Sequence, residues 1–204
     1  MAGGGDLGGA ETRLTLASTS PQRRAILEQL RIPFEAVAPA YVEDDPPDAD
    51  ATELVLRHAE GKARSVHVDR LLTLGVDTTV LLDGRIYGKA TDREDARGML
   101  LQLSGRTHAV VSGVCLLGGD EDVLAHETTD VTFRLLSHEF VDDYLASGEW
   151  EGRAGAYAIQ GLGGRLVERI HGDYLNVVGL PGALLLGVLE AHAPHVLTLR
   201  SSVD

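Results

Sequence analysis

A chain of 204 residues, 44% hydrophobic and only 4% aromatic, is long enough to bury a sheet under helices, with Leu, Val and Ala building most of its core. Its formal net charge of −13 speaks against broad adhesion to nucleic acid or to an anionic membrane, both of which reward a basic face. A small anionic substrate needs only a local cluster of cations, so the placement of the 18 Lys and Arg residues matters more than the total. No apolar run approaches the roughly 20 residues that a bilayer crossing needs, no basic-then-apolar leader opens the chain, and Cys115 is the single cysteine. We therefore expect a cytoplasmic protein without an intramolecular disulfide or a thiolate metal site.

Residues 1–12 (MAGGGDLGGAET) are glycine-rich and read as a disordered leader, leaving 13–204 as one domain. RLTLA is a short buried strand that stops at Ser-Thr-Ser-Pro, and PQRRAILEQL follows as a helix with Ile26, Leu27 and Leu30 on one face. Phe34 to Ala38 is a second strand. After the acidic, proline-rich YVEDDPPDAD loop, Ala51 to Val68 is a helix whose face carries Leu54, Val55, His58, Ala59 and Lys62. Leu71 to Leu82 is expected as a central strand interrupted near Gly75 to Asp77, with a hairpin turn at Asp83-Gly84. Asp92 caps a helix over Arg93 to Leu103, and strands follow at Thr107 to Leu117 and Val123 to Leu136. Ser137 caps a helix reaching Ala146, a glycine-rich stretch runs from Gly148 to Gly164, Leu166 to Ile170 is a strand, and Pro181 starts a last apolar helix.

Three groups of residues could carry chemistry. Ser18-Thr19-Ser20-Pro21-Gln22-Arg23-Arg24 joins a strand to a helix, with Ser20 as N-cap and Pro21 at the first helical position. Two arginines in a first turn oppose the helix dipole, a conflict that an anionic ligand would remove; a plain helix start is the alternative. Gly75-Val76-Asp77-Thr78-Thr79 puts a carboxylate into an apolar strand, where it is either at a solvated end or paired with a cation. Glu43 could join it as a metal ligand, although Asp44 and Asp45 make its loop resemble a solvated charge run equally well. Lys62, Lys89 and Arg106 complete the basic candidates, Lys89 favoured by the glycine before it, and Gln160 lies in a turn-rich stretch where its amide could face a base edge. Gly161-Leu162-Gly163-Gly164 lacks dinucleotide-fold spacing, no GxxxxGK[ST] loop occurs, the eight histidines show no ligand spacing, and His108 reads as structural.

The runs LASTSPQRRAILEQLRIPFE, GVDTTVLLDG…GKATDREDA, LSGRTHAVVSGV, AGAYAIQGLGG and VERIHGDYLNVVGLP, in that order, resemble the Maf family of nucleotide pyrophosphatases. The resemblance spans about Leu14 to Leu189. It implies an α/β fold with a curved mixed sheet flanked by helices, two lobes around a deep cleft, and pairing into a homodimer as one open possibility. In that frame Asp77 resembles the catalytic acid-base residue, and Ser18, Ser20, Arg23 and Arg24 resemble the phosphate-binding loop. Lys62 and Lys89 resemble lysines near the phosphates, while Glu43 and Asp77 would hold Mg²⁺ or Mn²⁺. Gln22, Thr78 and Gln160 occupy the positions that divide the family by substrate. Thr78 and Gln160 are similar to the branch acting on dTTP and UTP, whereas Gln22 departs from both branches and Ala90 replaces a usual proline.

The implied function is hydrolysis of dTTP or UTP, and of modified pyrimidine nucleotides as a neighbouring case, to the monophosphate and pyrophosphate. The partner is then a small nucleoside triphosphate, not nucleic acid or membrane. The rival reading is a non-catalytic regulator of cell division that binds a nucleotide or a protein.

Overall fold

The computed structural model describes residues 14–46, 49–69 and 71–197; the expected leader over 1–12 lies outside them. Strands β1 (Leu14–Ala17), β2 (Phe34–Val37), β3 (Thr73–Leu82), β4 (Arg85–Tyr87), β5 (Thr107–Leu117), β6 (Val123–Phe133) and β7 (Val167–His171) form one sheet. Its order is β2-β1-β3-β5-β6-β7, with β4 also on β3. The short β1 and β2 are parallel, β1 is parallel to β3, and every other pairing is antiparallel. The sheet is therefore mixed, as expected.

Among the described residues six α-helices flank it: α1 (Pro21–Gln29), α2 (Ala51–Val66), α3 (Arg93–Leu103), α4 (His138–Leu145), α5 (Tyr174–Val178) and α6 (Gly182–His192). The caps expected at Ser20, Asp92 and Ser137 are made, and Asp50 caps α2 in the same way. Ser20 accepts from the Arg23 N–H, Asp50 from Thr52 and Glu53, Asp92 from Asp95, and Ser137 from Phe140. Each such cap is worth about 1 kcal/mol, because it satisfies a backbone donor that the helix leaves unpaired.

Two expectations need correction. The central strand is not interrupted at Gly75 to Asp77, because β3 runs unbroken from Thr73 to Leu82 and pairs with β5 residue by residue from Thr73 to Leu81. Gly75 is there for closeness: a Cβ on it would lie 2.0 Å from the Ala59 carbonyl oxygen, and one on Gly113 of β5 would lie 2.4 Å from that of Val55. Helix α2 thus rests directly on the sheet. The strand expected to reach Leu136 ends at Phe133, after which Arg134 donates its N–H to the Leu166 carbonyl and Leu136 donates to the Ser104 hydroxyl.

The register leaves a gap that becomes the cleft. Along one edge of β3, β1 pairs only with Thr73 and Leu74, and β4 pairs only with Val80 to Leu82. Residues 75–79 have no strand on that edge among the described residues. The apolar interior divides at the same place. One core gathers Leu14, Leu16, Leu74 and Val76 with Leu185 and Leu189 of α6; the other gathers Val80, Leu100, Val110, Phe133 and Tyr157. These are the two lobes, and the unpaired stretch of β3 lies between them.

Candidate active site

A cavity of about 490 Å³ opens at the gap in the sheet. Ser18, Ser20, Gln22, Arg23, Glu43, Lys62, Asp77, Thr78, Lys89 and Gln160 all line it, so side chains from six stretches of the chain converge on one cavity. Arg24 is exposed and does not belong to the lining. The other basic candidate, Arg106, pairs with Asp83 at the β3–β4 turn and also lies outside the lining.

The first wall is the start of α1. Ser18 is 4% exposed, and its hydroxyl accepts from the Ser20 N–H at 3.1 Å and from Arg23 Nη1 at 3.3 Å. Arg23 also donates Nε to the Gly179 carbonyl at 3.0 Å and Nη2 to Thr78 Oγ1 at 3.3 Å. Its guanidinium is thereby fixed in one plane with its charge in the cavity, because an arginine stays protonated. Burial pulls its pKa below the usual value, against the opposing pull of Asp77 and Glu43. Ser20 Oγ donates to the Gln22 amide oxygen at 3.1 Å, which holds Gln22 at the rim.

The second wall joins β3, α2 and the acidic loop. Asp77, with its side chain 14% exposed, receives Lys62 Nζ on Oδ1 at 2.5 Å, and the same ammonium lies 2.5 Å from Glu43 Oε1. Glu43 reaches this point because its loop lies down on α2 instead of extending into water. Tyr41 covers Gly61, where a Cβ would fall 2.3 Å from the ring, while Arg57 Nη2 and His58 Nε2 meet the Asp44 carbonyl at 2.9 and 3.3 Å. Burial alone would raise the Asp77 carboxyl, but His58, Lys62 and Arg23 together hold it below the ordinary carboxylate range. Glu43 is likewise held down, its partial burial outweighed by Lys62. Both are therefore ionised at neutral pH, sharing one ammonium.

Sequence reasoning placed His58 on the right face of α2 but gave it no role. It is 2% exposed, its Nδ1 lies 3.5 Å from Asp77 Oδ2, and its pKa is raised chiefly by that carboxylate. Its position one helical turn before Lys62 was the available signal, since residues four apart share a face. Glu43, His58 and Asp77 offer donor atoms all within 4.8 Å of one another, an arrangement able to hold a cation.

The third wall comes from the β4–α3 connection and the glycine-rich stretch, tied together by a bridge between Lys89 and Ala154 and by the Gly155 N–H donated to Tyr87 and Gly88. Lys89 and Gln160 are both exposed and both line the cavity. Arg153 was missed. It lines the cavity half-buried, its Nε has no hydrogen-bond partner, and neither Arg153 nor Lys89 makes an ion pair among the described residues. Preceding a turn, Arg153 carried no periodicity to mark it.

The arrangement suits a polyanion: a fixed arginine beside a helix start, two cations without an ion-pair partner among the described residues, and a charged carboxylate, all lining one cavity. The chain is similar to a dTTP/UTP pyrophosphatase of Symbiobacterium thermophilum, 48% identical over 172 residues, covering 83% of this chain and 88% of the relative. It is also similar to a dTTP/UTP pyrophosphatase of Pyrococcus furiosus, at 42% over 182 residues, 87% of this chain and 94% of the relative. Among solved structures it is similar to the Ham1 protein of Staphylococcus aureus, with a TM-score of 0.41 and 13% identity over 59% of this chain and 71% of that one, a likeness too distant to bear on the site. The family model described as Maf-like protein matches residues 13–192, a span that takes in every wall of the cavity. The chain belongs to the Maf family.

Proposed function

We propose that the cavity hydrolyses dTTP and UTP between the α and β phosphates, releasing the nucleoside monophosphate and pyrophosphate. The observation that carries this reading is the ionised Asp77 on the unpaired edge of β3, facing the cavity between Arg23 on one side and Lys62 on the other. The activity for which the relatives are named agrees with it. Such an enzyme meets its substrate in the cytoplasm, and no helix among the described residues is long and apolar enough to cross a membrane.

Arg23, held by Ser18, Thr78 and the Gly179 carbonyl, grips the phosphate nearest the α1 start, whose backbone donors add to the grip. Lys89 and Arg153, lacking protein partners among the described residues, take the outer phosphates. Asp77 accepts a hydrogen bond from a water and aims its oxygen at the α phosphorus. As that P–O bond forms, the bond to the bridging oxygen breaks and pyrophosphate leaves with the electron pair. The water's proton passes to Asp77 and then to solvent. Arginine and lysine neutralise the charge that gathers on the leaving group, which is the main catalytic term in phosphoryl transfer.

The donor set suits a hard divalent cation such as Mg²⁺ or Mn²⁺: two ionised carboxylates, Glu43 and Asp77, already converge on one positive charge. Such an ion, when bound, would offset the phosphate charge and lower the pKa of a water it holds. A carboxylate held below its ordinary pKa is a weak base, so Asp77 alone does not account for rapid turnover.

Asp77→Asn keeps shape and removes charge. We expect pyrophosphate release from dTTP to fall at least about a hundredfold while nucleotide binding persists, since general-base and orienting contributions run to roughly 10²–10⁴. Undiminished release by this variant would overturn the reading, and no release by the wild type from any nucleotide would favour the binding-only rival.

A further inference from the structure

We propose that His58 is a third protein ligand for the divalent cation, and that Lys62 is the charge that keeps its place until the ion arrives. The proposal deepens the reading above and rests on it for the presence of a cation.

The two nitrogens of the His58 ring face different partners. His58 Nε2 lies 3.3 Å from the carbonyl oxygen of Asp44, an atom that can only accept, so Nε2 carries the N–H. The Asp45 carboxylate, 3.4 Å from the same nitrogen, favours the same assignment. In the neutral ring Nδ1 then bears a lone pair. It faces Asp77 Oδ2 at 3.5 Å, lone pair to anion, inside a pocket where the ring is only 2% exposed. A proton or a metal ion between them removes the repulsion. An imidazole that donates one N–H to a backbone carbonyl and directs its other nitrogen at a carboxylate has the usual orientation of a metal-bound histidine. Tyr41 packs against the ring, with centroids 5.7 Å apart and planes at 60°.

The three donors come from different segments: Glu43 from the loop folded onto α2, His58 from α2, Asp77 from β3. Their ligand atoms lie within 4.8 Å of one another, a span that one ion can bridge with small side-chain movements. Lys62 Nζ now stands 2.5 Å from both carboxylates. An ammonium and a divalent ion cannot share that place, so metal loading sends Lys62 on its flexible stem toward the phosphates. A nitrogen donor also changes the preference of the site. Two carboxylates alone suit Mg²⁺, whereas adding imidazole favours later divalent metals, of which Mn²⁺ is the nearest.

The test uses the full chain with Mn²⁺, alone and together with inorganic pyrophosphate, read by electron spin-echo spectroscopy and by a binding titration. Wild type should give the nitrogen modulation of a bound imidazole. His58→Leu should lose it and bind Mn²⁺ roughly tenfold or more weakly. His58→Gln, a polar replacement, guards against a folding defect, and Lys62→Met should bind Mn²⁺ more tightly than wild type. Absence of nitrogen modulation in every Mn²⁺ sample, failure to bind Mn²⁺ at all, or unchanged affinity in folded His58→Leu overturns the proposal. If that happens while wild type still releases pyrophosphate in a metal-dependent way, the enzymatic reading stands and His58 is only a partner of Asp77. Nitrogen modulation without turnover of any nucleotide would retain the metal site and remove the assigned reaction.

Discussion

At the scale of single residues, Thr78 shows how a hydroxyl can be used up before a substrate arrives. Its Oγ1 lies 3.3 Å from the Gly179 carbonyl, 3.3 Å from Arg23 Nη2 and 2.9 Å from Ser112 Oγ. The carbonyl must accept and the guanidinium must donate, so Thr78 donates once and accepts twice, which exhausts a hydroxyl. Nothing remains to read a base. These bonds point to Thr78 holding Arg23, whereas the family resemblance implied a position that divides substrates. Thr78→Val, which keeps the shape, should lower kcat/KM roughly five- to thirtyfold, the equivalent of about 1–2 kcal/mol for unpairing one guanidinium donor. The loss should be the same for dTTP, UTP and CTP; a changed ratio among them would instead make Thr78 a base-reading residue. Gln22 and Gln160 remain as groups with amide capacity at the rim, Gln160 having no side-chain bond among the described residues.

At the scale of elements, the seating of α2 decides whether the site exists, because Lys62 and His58 reach Asp77 only if the helix lies close to β3. Gly75 and Gly113 permit that closeness. Gly75→Ala would drive a methyl group into the Ala59 carbonyl, so we expect a loss of roughly 1–3 kcal/mol from overpacking and a fall in kcat as α2 lifts. Gly98 in α3 supplies the opposite case: a Cβ there meets nothing within 4 Å, and Gly98→Ala should stabilise by roughly 0.5–1 kcal/mol through helix propensity with activity unchanged. Urea unfolding of the pair checks both signs. The same glycine explains what the sequence hid. Capped helices were legible because Ser20, Asp92 and Ser137 announce them locally. Gly75 and Asp77 look like strand breakers when read along the chain, and only the helix lying across them shows why a strand would tolerate both. The acidic loop was ambiguous for a like reason, since what turns Glu43 inward is the seating of its neighbours Tyr41 and Asp44 on Gly61, Arg57 and His58 of α2, which lie elsewhere in the sequence. The five-residue α5 was not read at all, being too short for a periodic signal.

At the scale of the whole molecule, one lobe and the cleft beside it meet acid differently. The lobe built on β5, β6 and the glycine-rich stretch encloses His108, 2% exposed, edge-on to the rings of Phe133 and Tyr157. Its Nε2 meets the Tyr157 hydroxyl at 2.9 Å, and its Nδ1 is buried with no partner. Burial pushes its pKa down to about 4, because a proton on Nδ1 would have no acceptor. In the unfolded chain the same ring titrates near 6.5, so the unfolded state binds more protons between those values. The stability that His108 contributes as a neutral ring is thus complete above about pH 6.5 and drains away as pH falls toward 4, by up to about 3 kcal/mol. His58 runs the other way: its raised pKa gives stability that is full below about 6.5 and lost as pH rises through its folded value. Glu43 and Asp77, both held low, lose theirs only below the ordinary carboxylate range. Comparing wild type with His108→Phe separates these contributions, because Phe keeps the ring packing and cannot titrate. The gap between their urea midpoints should move in favour of the variant as pH is lowered from 7 to 4.5. A gap independent of pH would mean that His108 titrates in the fold as it does in the unfolded chain, with an acceptor for its second proton supplied by movement of the cavity wall at Tyr157.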